Sequence, residues 1–567
     1  MRIKKANGIF NSIGVATICV IMVIIFALLM VTALTATSEM TNLGEMIIFH
    51  NDNPWMNILV LVCILVLFYP IWRNVGDVKL KWFNLAMCVW VVGFGLLWVG
   101  DANAFPSADS GFVHYASIMF ARGEYEFLHR YDTYLGSYLN YFQHFPFQLG
   151  YVFFNEVLHR ITPFIVVNFH TRAVIMQILN VFFLMGTYLF INKTLLILFH
   201  HERIVKLCCV LFVLLPQPII FTTFVYGTIP GLFFAVLSIW LFMKFVNGKK
   251  TARNVVHGLL SVLCIALAVM LRQNHLIFLF AMVIVAGFKL LAYISEKDVK
   301  KAVLCVCYVA MACVLAMNIT TVIIRKYEWR TGYDFGEGIP MVAWMVMGLS
   351  HAYTEHGESE KAPGWFNFES ILLFNEQGRC YDAATEESWR RIRERYQFFR
   401  ENPPVARSFF WRKMASQWNE TTFQSIWNNQ VRGTNPMRDT GQGGGVGIAR
   451  LIAYQEACHP YWMCEGECGL QYSNPHVNHV KRYMDHMVQL VYAAVLICAV
   501  VFVIKSRQCD ITQTIYFIIV TGGFLYHLLF EAKSQYIVPY FILLVPMAAV
   551  GLHVLYNWVY GRKEVTE

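Results

Sequence analysis

The stretch Phe105-Pro106-Ser107-Ala108-Asp109-Ser110-Gly111-Phe112-Val113-His114-Tyr115-Ala116-Ser117-Ile118-Met119-Phe120-Ala121-Arg122-Gly123 decides how the rest of the chain is read. Pro106 followed by Ser107 or Asp109 is a helix-start signal, and Gly123 is a helix stop. Just upstream, residues 82–100 are apolar over a length that crosses a bilayer. The pattern predicts a short helix at the membrane edge with an acid in its first turn.

Working outward, apolar segments of spanning length recur near 9–36, 55–72, 82–100, 170–191, 205–225, 229–246, 255–271, 275–294, 302–324, 485–504, 513–531 and 536–556. Hydrophobic residues make up 57% of the chain and charged ones only 14%, against about a quarter charged in a soluble domain. These proportions describe a polytopic membrane protein. The net charge of +9 comes from Lys and Arg dispersed over short loops, which argues against a nucleic-acid surface and for topology signals. Arg73, Lys79, Lys81, Lys193, Arg203, Lys206, Lys249, Lys250, Arg253, Lys297, Lys300, Lys301, Lys505, Arg507, Arg562 and Lys563 all fall on one side if the N-terminus is cytoplasmic. Both termini are then expected inside and Asp109 outside. The first apolar run follows Arg2, Lys4 and Lys5 and is too long for a cleaved signal, so it is expected to stay in the membrane.

The chain divides into N-terminal membrane helices (1–100), a first external loop (101–169), a membrane core (170–324), a large external loop (325–484) and C-terminal membrane helices (485–567). The first loop is rich in Tyr and Phe, which suits helices lying at headgroup depth. In the second, residues 386–410 read as amphipathic helix interrupted at Asn402-Pro403-Pro404, and Gly441 to Gly447 as a loop.

Cations on the outer face run against the positive-inside rule. Arg272 lies in Leu271-Arg272-Gln273-Asn274-His275, and Lys533 in Phe530-Glu531-Ala532-Lys533-Ser534-Gln535-Tyr536. Both stand where a lipid phosphate would lie and can offset charge on it; interfacial snorkelling is the other reading. Arg122, one helix length from Asp109, is a third cation. Asn140, Gln143, His144 and Gln148 around Phe145-Pro146 are suited to sugar hydroxyls, and equally to an interface. Asp109 itself reads either as a helix-start charge or as a base.

An acid just past a membrane helix, opening a helix that ends in Gly, resembles the first-loop motif of polyprenyl-phosphate-sugar-dependent glycosyltransferases of the GT-C fold. Glycosyltransferase family 39, with the protein O-mannosyltransferases and the lipid A aminoarabinose transferase, is the type. The segment from Phe530 to Tyr536, followed by Pro539, resembles that family's late-helix motif, and Phe224-Val225-Tyr226-Gly227-Thr228-Ile229-Pro230-Gly231 its turn before a Pro-initiated helix. The family commonly has two adjacent acids where this chain has Asp109-Ser110. Asp101, Glu124 and Asp132 are open as a second carboxylate.

The resemblance implies an all-α integral membrane protein, a GT-C-type bundle of about twelve transmembrane helices with interfacial helices in the first external loop and a large late external loop. It implies inverting transfer from a polyprenyl-phosphate sugar to a hydroxyl on a cell-envelope glycan, lipid or protein, in a bacterial plasma membrane. Asp109 would be the catalytic base, and Arg122, His144, Arg272, Asn274, Lys533 and Tyr536 would bind substrate. No metal-ligand set and no cofactor is expected, although Mg²⁺ or Mn²⁺ is compatible with the chemistry.

Two rival readings stay open. A lipid-linked oligosaccharide polymerase or ligase would rely on Arg432, His459, His476 or His479 in the late loop. A lipid or polysaccharide transporter would place ionisable or Gly/Pro-broken sites at mid-membrane. Cys380, Cys458, Cys464 and Cys468 fall in the polar external region, where an even number favours two disulfides, and Asn419-Glu420-Thr421 is an external sequon.

Overall fold

Twelve long apolar segments leave helices as the only way to satisfy their backbone in lipid. The computed structural model describes residues 2–40, 47–102, 104–163, 169–248, 251–350, 353–354, 357–358, 362–425 and 479–560. Among them, eleven helices are long and apolar enough to cross a membrane: Gly8–Thr35, Pro54–Asn74, Leu80–Asp101, Thr171–Phe199, Thr228–Asn247, Ala252–Leu271, Gln273–Glu296, Val299–Thr331, Val480–Ile504, Ile511–Leu529 and Val538–Tyr560. The pair Glu202–Leu214 and Gln217–Thr223, bent by 57°, passes the same test together and makes twelve crossings if it is one broken span, eleven if it is a re-entrant loop. The protein is therefore an all-helical, multi-pass membrane protein, and each apolar segment read from the sequence is helical.

The segment over 205–225 differs from a single straight span because Pro216 and Pro218 lack amide protons and crowd the preceding turn. The carbonyls at the end of the bent segment find donors on neighbouring helices. Trp98 Nε1 donates to the Ile220 carbonyl (2.9 Å), Asn180 Nδ2 to that of Thr222 (2.9 Å) and Gln177 Nε2 to that of Thr223 (3.2 Å). Uncharged donors, an indole and two amides, thus satisfy this end, as a low-dielectric interior requires.

Val538–Tyr560 is the axis of the bundle: every residue from Val538 to His553 is buried, as expected of a helix apolar on all sides. It packs on His479–Ile504 and Glu202–Leu214. Pro54–Asn74 and Val299–Thr331 lie at the rim, where Leu59, Val66, Leu67, Val306, Val314 and Met317 face outward. Such exposure suits lipid contact.

The first loop forms the helices Ala108–Arg122, Tyr138–His144 and Leu149–Ile161, with short 3₁₀ turns at Glu126–His129 and Pro146–Gln148. Its aromatic residues depart from the expected headgroup belt. Phe120, Phe127, Tyr138, Tyr141, Phe142 and Phe145 are buried in a second core of their own, with Tyr134 packed at its edge and partly exposed and Tyr131 outside. Composition alone cannot separate rings against lipid from rings against one another.

The late region contributes Met341–Gly348, Glu369–Glu376, Tyr381–Glu401 and Pro403–Trp418, with the helix broken at Asn402 where Pro403 and Pro404 begin a new one. A β-hairpin, Ala36–Met40 antiparallel to Ile47–Asn51, joins the first two membrane helices and docks on Pro403–Trp418 through Ser38 Oγ, which donates to the Ala415 carbonyl (3.0 Å). The sequon is not presented at the surface. Asn419 is buried, and its Nδ2 donates to the Ala36 carbonyl (3.1 Å). Cys380 is exposed. Arg432, Gly441 to Gly447, Cys458, His459, Cys464, Cys468 and His476 lie outside the described residues, and His479 opens the His479–Ile504 helix.

Candidate active site at one end of the bundle

Asp109 stands in the first turn of Ala108–Arg122. Ser110 Oγ accepts from the Ser107 amide (3.1 Å), Ala108 takes a left-handed φ of 47° and Gly123 closes the helix at φ 75°. Start and stop therefore fall where the sequence signals put them, with Ser107 rather than Asp109 as the capping residue. Three phenols surround the acid. The Tyr134 hydroxyl donates to Asp109 Oδ1 (2.9 Å). Burial, and then the Asp109 carboxylate, raise the Tyr134 and Tyr141 phenols well above the usual range. Tyr226 is pushed up to about 12 by burial, with Arg272 opposing the shift and Asp109 adding to it.

Tyr226 also meets a cation. The Arg272 guanidinium lies 4.6 Å from the centre of the Tyr226 ring and 5.1 Å from that of Tyr536, so it is held between two aromatic faces that favour its planar charge. Gln148 Nε2 donates to the Tyr226 hydroxyl. Two glycines let the backbone come this close. A Cβ on Gly150 would sit 2.0 Å from the Met270 carbonyl oxygen, and one on Gly227 would sit 2.2 Å from that of Leu271. Arg272 itself is extended, between the Thr251–Leu271 helix and the turn Gln273–His275. Its side chain, with Thr228, Asn274, Gln535, Tyr536 and Pro539, lines a small cavity.

The hairpin from Phe530 to Tyr536 closes the other side. Lys533 Nζ is 3.5 Å from Glu531 Oε1, and the Tyr536 hydroxyl donates to Glu531 Oε2 (3.1 Å). The late region between the membrane helices grips this hairpin at successive residues. Lys413 Nζ donates to the carbonyls of Gly348 and Phe530, the latter at 2.8 Å. The Ala532 amide donates to the Gly364 carbonyl (2.9 Å), and Ser534 Oγ donates to Glu420 Oε2 (2.8 Å). Lys413 and Glu420 are fully buried. Burial holds the Lys413 ammonium well below the usual lysine range, with Glu531 opposing the shift.

Asp109, Arg272, Asn274, Lys533 and Tyr536 thus come to one end of the bundle, though Lys533 arrives already paired with Glu531. Arg122 and His144 do not join them. Arg122 is at the far end of the Asp109 helix, about 20 Å away by helical rise. His144 is buried, with Nδ1 donating to the Asn140 carbonyl (2.8 Å) and Nε2 2.9 Å from the Asn375 side-chain amide; burial pulls its pKa down. Of the second carboxylates left open, Asp132 pairs with Arg130 at 2.8 Å and Glu124 follows Gly123 at the far helix end. The carboxylate that shares the Tyr134 environment with Asp109 is Glu531. Its signal was its place two residues before Lys533. Tyr134 and Lys413 reach the site only through folding, and no local pattern marks them. Among the described residues no three His, Cys, Asp or Glu side chains are grouped to hold a metal ion.

No family model and no curated protein matches the sequence. Among solved structures, the chain is similar to the apo form of the Archaeoglobus fulgidus oligosaccharyltransferase, with a TM-score of 0.43 and 12% identity over 85% of this chain and 51% of that one. It is also similar to the same organism's oligosaccharyltransferase AglB in complex with an inhibitory peptide and a dolichol-phosphate, with a TM-score of 0.40 and 12% identity over 85% and 51%. The chain spans about half the length of these proteins.

Proposed function

We propose that the protein is a GT-C-type membrane glycosyltransferase that moves a sugar from a polyprenyl-phosphate donor to an acceptor hydroxyl with inversion. The observation that carries this reading is the gathering at one end of a membrane bundle of an acid, Asp109, held by the Tyr134 hydroxyl, and a cation, Arg272, held between Tyr226 and Tyr536. A half-buried acid beside an aromatic-clamped cation suits a reaction in which a proton is removed on one side and negative charge develops on the other.

In the proposed step the Asp109 carboxylate takes the proton of the acceptor hydroxyl as its oxygen attacks the anomeric carbon from the face opposite the phosphate. The bond from that carbon to the phosphate oxygen breaks, and its electron pair leaves on the polyprenyl phosphate. Arg272 offsets the added charge there, with Asn274 and Tyr536 beside it. A phosphate leaves without prior protonation, so one acid is enough, unlike the carboxylate pair of a glycosidase. Lys533 is the second cation, with Glu531 setting its direction. The lipid tail would lie between helices, and the acceptor would approach from the late external region. The reading places this end at the outer face of a bacterial plasma membrane, with both termini inside.

The test is transfer of radiolabelled sugar from a panel of polyprenyl-phosphate hexoses and pentoses by purified protein, with release of polyprenyl phosphate followed in parallel. Stoichiometric transfer and release from at least one donor is expected. Movement of these lipids across vesicles with no bond cleavage would replace the enzyme with a transporter.

A further inference from the structure

Phe368 is anomalous in two ways. It adopts left-handed backbone at φ 66°, unfavourable for a bulky side chain, and the residue is 41% exposed. It stands at the N-cap of Glu369–Glu376, and neither feature is needed to start that helix.

Its neighbours give it a place. The Phe368 ring meets the Tyr134 ring edge to face at 5.9 Å and the Phe366 ring at 4.7 Å. Tyr134 is the phenol that donates to Asp109, and the Phe366 ring lies 5.1 Å from Lys533 Nζ. The wall Phe366, Phe368 and Tyr134 therefore runs from a cation to the carboxylate. That is the space in which a group attached to a phosphate would meet the acid.

We propose that Phe368 is the platform of a hexose subsite. The C–H face of the sugar being transferred packs on its exposed ring, with the phosphate toward Arg272 and Lys533 and the anomeric carbon toward Asp109. The proposal deepens the lipid-phosphate-sugar reading and rests on it. An aromatic face carries partial negative charge that favours the electropositive C–H edges of a pyranose. Tyr134 and Phe366, each tied to a charged partner, restrict where the Phe368 ring can turn.

A structural role and a binding role give opposite expectations at this position. Glycine accepts φ 66° without strain, so Phe368→Gly relaxes the backbone while deleting the ring. The experiment measures binding of polyprenyl-phosphate glucose, polyprenyl-phosphate mannose and bare polyprenyl phosphate to the full chain in nanodiscs, with the thermal midpoint recorded for each variant. The wild type is expected to prefer a hexose-bearing lipid over the bare one. Phe368→Gly should reduce that preference roughly tenfold, with bare-lipid affinity kept and the midpoint no lower than wild type, while Phe368→Trp keeps the preference. Should the glycine variant not fold, Phe368→Leu, which retains apolar bulk without a ring face, decides the question by the same ratio. An unchanged ratio in the folded variant overturns the platform and leaves the lipid-phosphate reading standing. Failure of the wild type to bind any of the three lipids overturns that reading and the platform with it.

Discussion

Arg272 shows how much of this site depends on side-chain shape as well as charge. Its guanidinium is stacked between Tyr226 and Tyr536, a geometry a compact ammonium cannot reproduce. Arg272→Lys should therefore raise the donor KM by about tenfold or more while changing kcat less, measured by initial rates over a donor series. Equal KM values would mean that the position supplies only charge. Lys413 presents the reverse case, a basic side chain used as a donor inside the fold. Replacing it by Met leaves the carbonyls of Gly348 and Phe530 without their donor, at a cost of about 1–3 kcal/mol. Lys413→Met should lower the thermal midpoint and weaken donor binding together, since the carbonyl it holds adjoins Glu531. A lowered midpoint with donor affinity intact would limit Lys413 to stability.

Some of this was legible in the sequence and some was not, for physical reasons. The place of Asp109 in a first helical turn could be read because a helix start is written locally in Pro106 and Ser107, and Arg272 drew notice because a cation on the expected outer face runs against the positive-inside rule. Glu531 lay within a motif already singled out, but its pairing with Lys533 and Tyr536 depends on a tight turn. Tyr134 and Lys413 act through partners far away in sequence, which no local pattern encodes.

Among the elements, the Ala108–Arg122 helix is held at its far end by an ionic cluster around the buried Glu156. Glu156 Oε1 accepts from Arg330 Nη1 (2.7 Å) and Arg160 Nε (2.9 Å), and Oε2 accepts from the Tyr327 hydroxyl (2.5 Å). Arg330 Nη2 and Arg160 Nη2 also donate to the Phe120 carbonyl at 3.1 and 3.3 Å, where cations suit the helix C-terminus. Removing one partner from a buried pair costs roughly 3 kcal/mol. Glu156→Gln is thus expected to lower stability and to reduce kcat more than donor affinity, because the helix it anchors carries Asp109 and not Arg272. Calorimetry and donor titration on the same preparation check both parts.

The same packing carries a pH dependence. Burial, with His114 and Arg172 adding, holds the His159 pKa at about 3, against about 6.5 in an unfolded chain. Between those values the unfolded state binds the proton and the folded state does not, so stability rises with pH across this window. The thermal midpoint should be at its plateau above about 6.5 and fall as the pH drops toward 3, and His159→Asn should flatten that slope. An unchanged slope in the variant would assign the acid sensitivity to other groups.

For the whole molecule, the apolar spans were readable because spanning length is a strong constraint, and the break at Pro216 and Pro218 was the exception in which two residues outweighed the segment's overall hydropathy. The aromatic first loop was harder, since Tyr and Phe serve a lipid interface and a private core alike. The result is a bundle that gathers an acid from the first loop, a cation from a mid-chain hairpin and a Lys–Glu–Tyr cluster from the last one, all steadied by the helices of the late region. The most direct test of this account compares the native chain with Asp109→Asn for both donor binding and sugar transfer, using the donor found active. The account predicts transfer reduced by at least 10²-fold with donor affinity within about twofold of native. Equal transfer rates in the two proteins would contradict it and remove Asp109 from the chemistry.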